Sequence, residues 1–259
     1  MSDAQTIKQL YTLALAEGEG VGTAYEYYAK RLVLLPWLAK GKRPTSILIA
    51  GLPEKYGASL DFMLLGAELD CQITVVDDSS FALAKLDRAL EILNESNYSP
   101  ALNPRIFQTS DLSNLAELEA NFDLAVSSEV LQRLTAGQRE SYVSRLQEVS
   151  SQLALFSPNG DNESHVGISG LNGLKLEELD NLIRKNSGDE KIIGFIDMPP
   201  FPPGITRSEA QREEASTGKA EALVMWGLGI YAHMERYLPK SARRKWAHIV
   251  YGLHGLLQR

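Results

Sequence analysis

Residues 46–78 read SILIAGLPEKYGASLDFMLLGAELDCQITVVDD, and this stretch decides the fold. An apolar run, Ile47-Leu48-Ile49-Ala50, predicts a buried strand that leads into a turn bounded by Gly51 and Gly57. A helical pattern follows, and a second strand ends in the acids Asp77 and Asp78. A strand, a glycine turn, a helix and an acid-tipped strand predict a nucleotide-cofactor site at the edge of a parallel sheet.

The turn itself suits a polar or anionic ligand. Free backbone N–H groups gather there at the positive end of the helix dipole. Gly51 permits the sharp exit from the strand, and we expect Gly57 to open the helix. Asp77 is the first choice for a carboxylate that accepts hydrogen bonds from ribose hydroxyls, with Asp78 as the second.

Strand and helix patterns alternate along the rest of the chain. Helical periodicity covers Phe81–Asn94, where leucines recur at intervals of three and four residues, and also Ala136–Gln152. This alternation predicts an α/β fold with a doubly wound, mostly parallel sheet. The predicted strands are Ser46–Ala50, Gln72–Val76, Arg105–Gln108, Asp123–Ser127 and Leu153–Phe156.

Three regions follow from the change of pattern along the chain. We expect an N-terminal helical cap over residues 1–44 and a cofactor-binding α/β domain over residues 45–196. Residues 197–259 are predicted to form a proline-rich connector and C-terminal helices, because residues 198–204, MPPFPPG, continue neither a helix nor a central strand. An apolar stripe at helical spacing supports the last helix: Trp246, Ile249, Val250, Leu253 and Leu257.

Composition excludes several classes of protein. A formal net charge of −7 argues against general affinity for nucleic acid, which needs a basic face. The single cysteine, Cys71, excludes disulfides within the chain and disfavours a cysteine-based zinc site. We expect a cytoplasmic protein, because residues 1–5 do not resemble a signal peptide and no apolar run reaches the ~18 residues that span a bilayer.

Four segments, in order along the chain, resemble the motifs of class I S-adenosylmethionine-dependent methyltransferases. Residues 122–134, FDLAVSSEVLQRL, resemble the fourth-strand motif, in which a strand begins Phe-Asp and ends in a short Glu-Val-Leu helix. Residues 73–80, ITVVDDSS, resemble the second-strand motif, and residues 107–112, FQTSDL, the segment that contacts adenine. Residues 155–160, LFSPNG, resemble the fifth strand, so the resemblance covers about residues 45–182.

The resemblance implies S-adenosylmethionine as the cofactor and gives roles to individual residues. Asp77 would hold the ribose, Asp111 would accept a hydrogen bond from the adenine amino group, and Ser127 would lie near the methionine part. For Asp111, an N-cap of a helix that begins near Ser113 is the structural alternative. The full implied cofactor set is Gly51, Leu52, Pro53, Gly57, Asp77, Asp78, Ser110, Asp111, Leu112 and Ser127.

The glycine loop departs from the family pattern. The family usually reads Gly-x-Gly-x-Gly after an acidic strand residue, whereas this chain has Ile49, Gly51, Leu52, Pro53 and then Gly57. Pro53 removes one backbone N–H donor. The same loop disfavours a nicotinamide cofactor, because leucine and proline after Gly51 keep pyrophosphate from the turn. This departure supports an alternative, a non-catalytic binding or scaffold protein with the methyltransferase fold.

Two residues are candidates for catalysis. Methyl transfer mainly needs an acceptor held in line with the cofactor, and a hydroxyl or amine acceptor also needs a base. His165 follows the fifth strand and has an ordinary pKa near 6.5, and Glu129 follows the fourth. A surface-loop histidine and a helix-start acid are the plain alternatives for these two residues. No Asn-Pro-Pro-Tyr or Asp-Pro-Pro-Tyr signature occurs, which leaves small-molecule or lipid-like acceptors.

Both ends of the chain are expected to build the acceptor pocket. Tyr25 and Tyr28 lie three residues apart on one face of an N-terminal helix that in related enzymes covers the cofactor, although core packing explains them equally well. Basic residues gather in residues 236–245, ahead of the apolar stripe. The segment 236–259 could therefore rest on an anionic membrane, or it could pack on the domain or on a second subunit of a homodimer.

Overall fold

Continuous apolar runs bounded by turn residues form the parallel strands that the sequence predicts. A computed structural model of the chain describes residues 2–115, 118, 121–184, 189–198 and 219–256. All five predicted strands are confirmed, with ends shifted by at most three residues. The strands are β1 (Ser46–Ala50), β2 (Gln72–Asp77), β3 (Arg105–Gln108), β4 (Phe122–Ser128), β5 (Ser150–Pro158), β6 (Asp189–Ile196) and β7 (Ile249–Leu256).

The strands form one sheet in the order β3-β2-β1-β4-β5-β7-β6. Strands β1 to β5 pair in parallel, and β7 lies antiparallel between β5 and β6. The predicted doubly wound, mostly parallel α/β sheet is therefore confirmed. The helices are α1 (Asp3–Ala16), α2 (Val21–Leu38), α3 (Leu60–Glu68), α4 (Ser80–Glu95), α5 (Ala136–Val149), α6 (Glu163–Ser169), α7 (Leu176–Leu182), α8 (Lys219–Glu235) and α9 (Lys240–Trp246).

Helices cover both faces of the sheet, as a parallel sheet requires. On β1, Ile47 and Ile49 face the layer built from α1 to α4 and α8, whereas Leu48 and Ala50 face α5 and α7. The predicted N-terminal cap is helical and belongs to the first of these layers. No helix among the described residues combines the length and the apolar character needed to cross a bilayer.

The C-terminal helix predicted from the apolar stripe is wrong. Residues 249–256 form β7, which pairs along its whole length with β5 and β6. A strand buried on both faces is apolar at nearly every position, so it mimics helical spacing. Gly252 and Gly255 suit close packing, since a Cβ at Gly252 would lie 2.4 Å from Ile183 Cδ1 if the side chain did not shift. Residues 197–259, which were predicted as a connector and helices, therefore also contribute the strand β7 to the sheet. Residues 199–203 and Leu257 lie outside the described residues.

The ends of β1, β2 and β4 meet at the carboxyl edge of the sheet, where a ligand site is expected. Gly51 N donates to Val76 O at 2.7 Å, which fixes the exit from β1 beside the end of β2. Glu129 N donates to Phe156 O at 2.9 Å and continues the pairing of β4 with β5. A short 3-10 turn at Leu131–Arg133 then leads to α5.

Candidate functional site

Asp77, the predicted ribose ligand, lies at the end of β2 and is completely buried. Its Oδ2 accepts from Leu52 N at 2.6 Å and from Arg133 Nη1 at 2.8 Å. Its Oδ1 accepts from Ser79 N at 2.7 Å and from Arg133 Nη2 at 3.1 Å. Both carboxylate oxygens are thus doubly hydrogen-bonded within the chain, and Asp77 has no acceptor position left for a ribose hydroxyl.

Arg133 holds this arrangement from the turn after β4. Its Nη2 also donates to Asp78 Oδ1 at 2.6 Å, and its Nη1 donates to Leu52 O at 2.9 Å. Burial opposes the charge, yet the hydrogen bond and the negative charge of Asp77 raise the pKa of Arg133 above its usual value. One guanidinium therefore joins the end of β2, the loop after β1 and the turn after β4.

The glycine loop is closely packed. Gly51 adopts a left-handed backbone with φ 72°, and a Cβ there would lie 2.6 Å from Val130 Cγ2 and 3.1 Å from Leu112 Cδ2. Leu52 and Pro53 are both buried. The space above the turn is thus occupied by side chains of the same chain.

Gly57 lies farther along the loop and has φ 74°. Its missing Cβ leaves room for the Tyr27 hydroxyl, and its N–H donates to Glu19 Oε1 at 3.3 Å. We predicted that Gly57 opens the helix, but α3 begins at Leu60, with Ser59 as a left-handed N-cap. This loop joins the N-terminal helices to the sheet.

The segment expected at adenine forms a capped turn. Asp111 Oδ1 accepts from Ser113 N at 2.9 Å and from Ser113 Oγ at 2.7 Å. Asp111 and Ser110 are exposed, whereas Leu112 is fully buried. Asp111 thus makes a local bond of the capping kind, but it caps the turn at residues 112–114, and the helix expected near Ser113 does not begin there.

Ser127 lies on β4 and is fully buried. The hydroxyl group of Tyr142, on α5, lies 2.9 Å from Ser127 Oγ and 2.6 Å from Ala50 O. The helix α5 packs on the face of the sheet opposite α2 and α3. The hydroxyl group of Ser127 therefore faces the α5 layer.

A second group of buried ionisable residues surrounds the end of β4, and we call it the acid–lysine cluster: Glu26, Lys30, Asp61 and Glu129. The Lys30 ammonium donates to Ser128 Oγ at 2.8 Å and forms an ion pair with Glu26. It also lies 5.4 to 5.7 Å from three aromatic ring centroids. Burial opposes its charge, but the nearby carboxylates raise the pKa of Lys30 above its usual value.

Glu129, one of the two predicted catalytic residues, belongs to this cluster. It has a left-handed backbone with φ 55°, and its side chain is 4% exposed. Its Oε2 has no hydrogen-bond partner. Burial, together with the charge of Glu26, raises the pKa of Glu129 well above its ordinary value.

Asp61 adds a second unsatisfied acid from the first turn of α3. It is 1% exposed, and neither carboxyl oxygen has a hydrogen-bond partner of normal geometry. Burial raises the pKa of Asp61 to about 7, although the positive charge of Lys30 opposes the shift. Asp61, Glu129 and Lys30 are thus buried together, and Glu26, whose side chain is 15% exposed, joins them through its ion pair with Lys30.

His165, the other predicted catalytic residue, lies on α6 and stacks on His248. The ring centroids are 4.2 Å apart with an interplanar angle of 24°. His248 Nδ1 lies 3.0 Å from Asp197 Oδ2. Burial and the neighbouring His248 lower the pKa of His165 to about 4, whereas Asp197 raises the pKa of His248 despite its burial. The ordinary pKa near 6.5 expected for His165 is therefore wrong.

Tyr25 connects α2 to the C-terminal region. Its hydroxyl group donates to Glu235 Oε2 at 2.7 Å. Glu235 also accepts from the backbone N–H groups of Asp197 and Met198 at 3.3 and 3.1 Å, and burial raises its pKa to about 7. Tyr28 is buried in the same layer.

Sequence reasoning missed the partners of these sites: Glu26, Lys30, Asp61, Arg133, Asp197, Glu235 and His248. For Asp61 a signal was available, because it is the one charged residue in the apolar run of residues 60–65. In the part of the chain that the structure describes, no three histidine, cysteine or acidic side chains are placed to hold a metal ion together. A cavity of about 440 Å³ lies elsewhere, on the face of β2 and β3 beside Thr74, Arg105 and Phe107.

Comparison with solved structures identifies the fold. The methyltransferase domain of a bacterial Hen1 protein, CtHen1, aligns with 88% of this chain and 98% of its own length, at 16% identity and a TM-score of 0.52. A second CtHen1 structure aligns with 90% of this chain and 100% of its own length, at the same identity and TM-score. Magnesium protoporphyrin IX methyltransferase from Synechocystis PCC 6803 covers 89% of this chain and 84% of its own, at 12% identity and a TM-score of 0.46.

No protein-family model matches the chain, and no curated protein matches it in sequence. At these identities the solved structures establish the fold alone. The chain has the fold of class I S-adenosylmethionine-dependent methyltransferases, as the four motifs predicted.

Proposed function

We propose that this chain is an S-adenosylmethionine-dependent methyltransferase that acts on a small-molecule or lipid-like acceptor. One observation carries the proposal: nearly the whole chain aligns with a methyltransferase domain, and Asp77 ends β2 at the edge where the four motifs meet. We include lipid-like acceptors because aromatic rings, as well as acids, line the interior beside β4.

The residue types at the crevice suit the cofactor. Asp77 can accept from ribose hydroxyls, Leu112 offers an apolar wall for adenine, and the left-handed backbone of Gly51 permits close approach. All four acceptor positions of Asp77 are engaged, however, and Val130 and Leu112 contact Gly51. Binding therefore requires Arg133 to release Asp77, and the two apolar side chains to move away from the turn.

The bound cofactor would supply a methyl group already activated on a sulfonium, so the chain has to orient the acceptor and remove a proton. His165 is neutral at pH 7, because its pKa is about 4, and it can accept a proton. His248 stacks on it, and the neighbouring Asp197 raises the pKa of His248 despite its burial. We assign these rings to proton transfer from a hydroxyl or amine acceptor, and Glu129 to a hydrogen bond with that acceptor.

A second candidate function is a non-catalytic binding or scaffold protein that keeps the methyltransferase fold. The bonds between Arg133 and Asp77 favour it, because they replace the ribose by a side chain of the protein itself. Pro53 in the glycine loop points the same way, since it offers no N–H to a ligand.

Calorimetric titration separates the two functions. S-adenosylmethionine and S-adenosylhomocysteine are titrated into the wild-type chain, Asp77→Asn and Arg133→Gln. A methyltransferase binds S-adenosylhomocysteine, and Asp77→Asn weakens that binding by about tenfold or more. Asp87→Asn, which changes an exposed acid on α4, is the matched control and leaves the affinity unchanged.

The outcomes differ clearly between the candidates. Binding to Arg133→Gln but not to the wild-type chain means that Arg133 closes a functional crevice. No heat with either ligand, for wild type and Arg133→Gln alike and in protein whose circular dichroism is that of the folded chain, rejects the methyltransferase and supports the scaffold.

A further inference from the structure

The helix α8 is apolar on two opposite faces. Met225, Leu228 and Ala232 are 2 to 4% exposed and belong to the core layer built on α1 and α2. Trp226, Ile230 and Met234 follow each other at intervals of four residues on the other side, and they are 59, 43 and 60% exposed. A helix that is apolar all round is normally covered on all sides, and among the described residues the second face of α8 is not.

Further exposed aromatic side chains follow the end of the helix. Tyr237, two residues after the end of α8, is 77% exposed. Trp246, at the end of α9, is 59% exposed. Indole and phenol rings are the side chains enriched where a protein meets the headgroup region of a bilayer.

Basic residues accompany these rings. Residues 226–246 contain five lysines and arginines and a single acid, Glu235, in a chain whose formal net charge is −7. Glu235 is buried and bonded to Tyr25, and Arg244 pairs with Asp161 and Glu177. The remaining exposed cations are Arg236, Lys240 and Lys245, and none of them forms an ion pair with a described residue.

We propose that this α8–α9 surface, which consists of Trp226, Ile230, Met234, Arg236, Tyr237, Lys240, Lys245 and Trp246, docks on an anionic lipid bilayer. The apolar residues would enter the boundary between headgroups and acyl chains, while the cations meet anionic headgroups. This surface includes a part of the segment 236–259, but its apolar face belongs to α8 instead of the C-terminal strand.

Charge favours a bilayer over other occupants. A second copy that docks face to face would bring the same cations against each other, which is unfavourable. Nucleic acid would match the cations but would not bury a ridge of isoleucine, methionine and tryptophan. An anionic bilayer satisfies both parts of the surface, and this inference does not depend on whether the chain transfers methyl groups.

Liposome flotation of the full chain tests the proposal. Vesicles of phosphatidylcholine with about 30% phosphatidylglycerol should float the chain, and vesicles of pure phosphatidylcholine should float far less, because headgroup charge supplies part of the attraction. Trp226→Ser/Met234→Ser should lower partitioning on the order of tenfold or more. Arg236→Gln/Lys240→Gln should lower it by about 25-fold, about fivefold for each charge, and the loss should shrink in high salt.

Matched variants elsewhere on the chain complete the test. Phe81→Ser removes an aromatic side chain on α4 that is more exposed, at 77%, than Trp226 or Met234, and Lys40→Gln/Arg88→Gln removes two exposed cations. Both controls should float like the wild type. The proposal is overturned if the wild-type chain stays in the dense fraction with anionic vesicles, or if all four variants lose flotation equally. It is also overturned if Trp226→Ser/Met234→Ser changes only the oligomeric state in light scattering, which would make the surface an interface between copies.

Discussion

Two sets of buried carboxyl groups lie at the carboxyl edge of the sheet, and they are neutralised in different ways. Asp77, at the end of β2, has four hydrogen bonds, two of them from Arg133. Asp61 and Glu129, beside the end of β4, have carboxyl oxygens without partners and raised pKa values. A guanidinium balances the first site, whereas in the second the acids surround Lys30 and burial raises the pKa values of Asp61 and Glu129.

The difference indicates which site is built for stability and which for chemistry. The ion pair of Arg133 and Asp77 connects the end of β2, the loop after β1 and the turn after β4. It leaves no acceptor position of Asp77 for a ligand. Unsatisfied buried acids cost stability, and they hold protons that can be exchanged with a bound molecule. The crevice at Asp77 is thus the closed part of this edge, and the acid–lysine cluster contains its unsatisfied polar groups.

The largest effect is expected at the closed site. Arg133→Ala should lower the free energy of unfolding by about 3–5 kcal/mol, because it leaves the charge of Asp77 buried without a counterion. Urea denaturation at pH 7 measures the change.

Arg145→Ala is the matched control for that variant. Its ion pair with Glu148 is exposed, so the loss should stay below about 1 kcal/mol. Equal losses for the two variants would mean that burial of the pair at Asp77 contributes nothing, and the contrast between the two sites would disappear.

The parallel strands could be predicted from the sequence because each is an apolar run that ends at a turn or at an acid. The position of Asp77 at the end of β2 follows from the same local pattern. The strand β7 could not be separated from a helix, because burial on both faces hides the alternation of a strand.

The partners of the site residues depend on contacts between distant segments. Arg133 lies 56 residues from Asp77, and His248 lies 51 residues from Asp197. No local pattern pairs such residues, since only the order of strands in the sheet brings them together. The predicted site residues therefore lie near the carboxyl ends of the strands, while the contacts that close the crevice were missed.

A smaller effect on stability is expected from a change of pH at the acid–lysine cluster. Burial raises the pKa of Asp61 from 3.8 to about 7, so the folded chain binds a proton that the unfolded chain releases above pH 4. The resulting stability is complete below about pH 4 and is lost as the pH rises to about 7, by on the order of 2–4 kcal/mol. Urea denaturation of the wild type and Asp61→Asn between pH 4 and 8 should show a shallower decline for the variant.

Asp123 provides a control of opposite sign. Hydrogen bonds from Thr45 lower its pKa to about 2, so its contribution is present above pH 4 and is lost as the pH falls towards 2. Asp123→Asn should therefore leave the slope between pH 4 and 8 unchanged. A wild-type chain whose stability is flat across that range would show that Asp61 is ionised in the fold, and the two sites would then be alike.

The smallest effect is expected at Asp78, the neighbour of Asp77 that also binds Arg133. Asp78 is 36% exposed in its side chain, so solvent screens its bond to the guanidinium even though the two atoms lie 2.6 Å apart. Asp78→Asn should cost less than about 1 kcal/mol in urea denaturation, because the buried bonds to Asp77 hold Arg133 in place. A loss as large as that of Arg133→Ala would mean that the exposed carboxylate holds the arginine. Asp77 would then be free to exchange its partner for a ribose, and the crevice would be the more readily opened of the two sites.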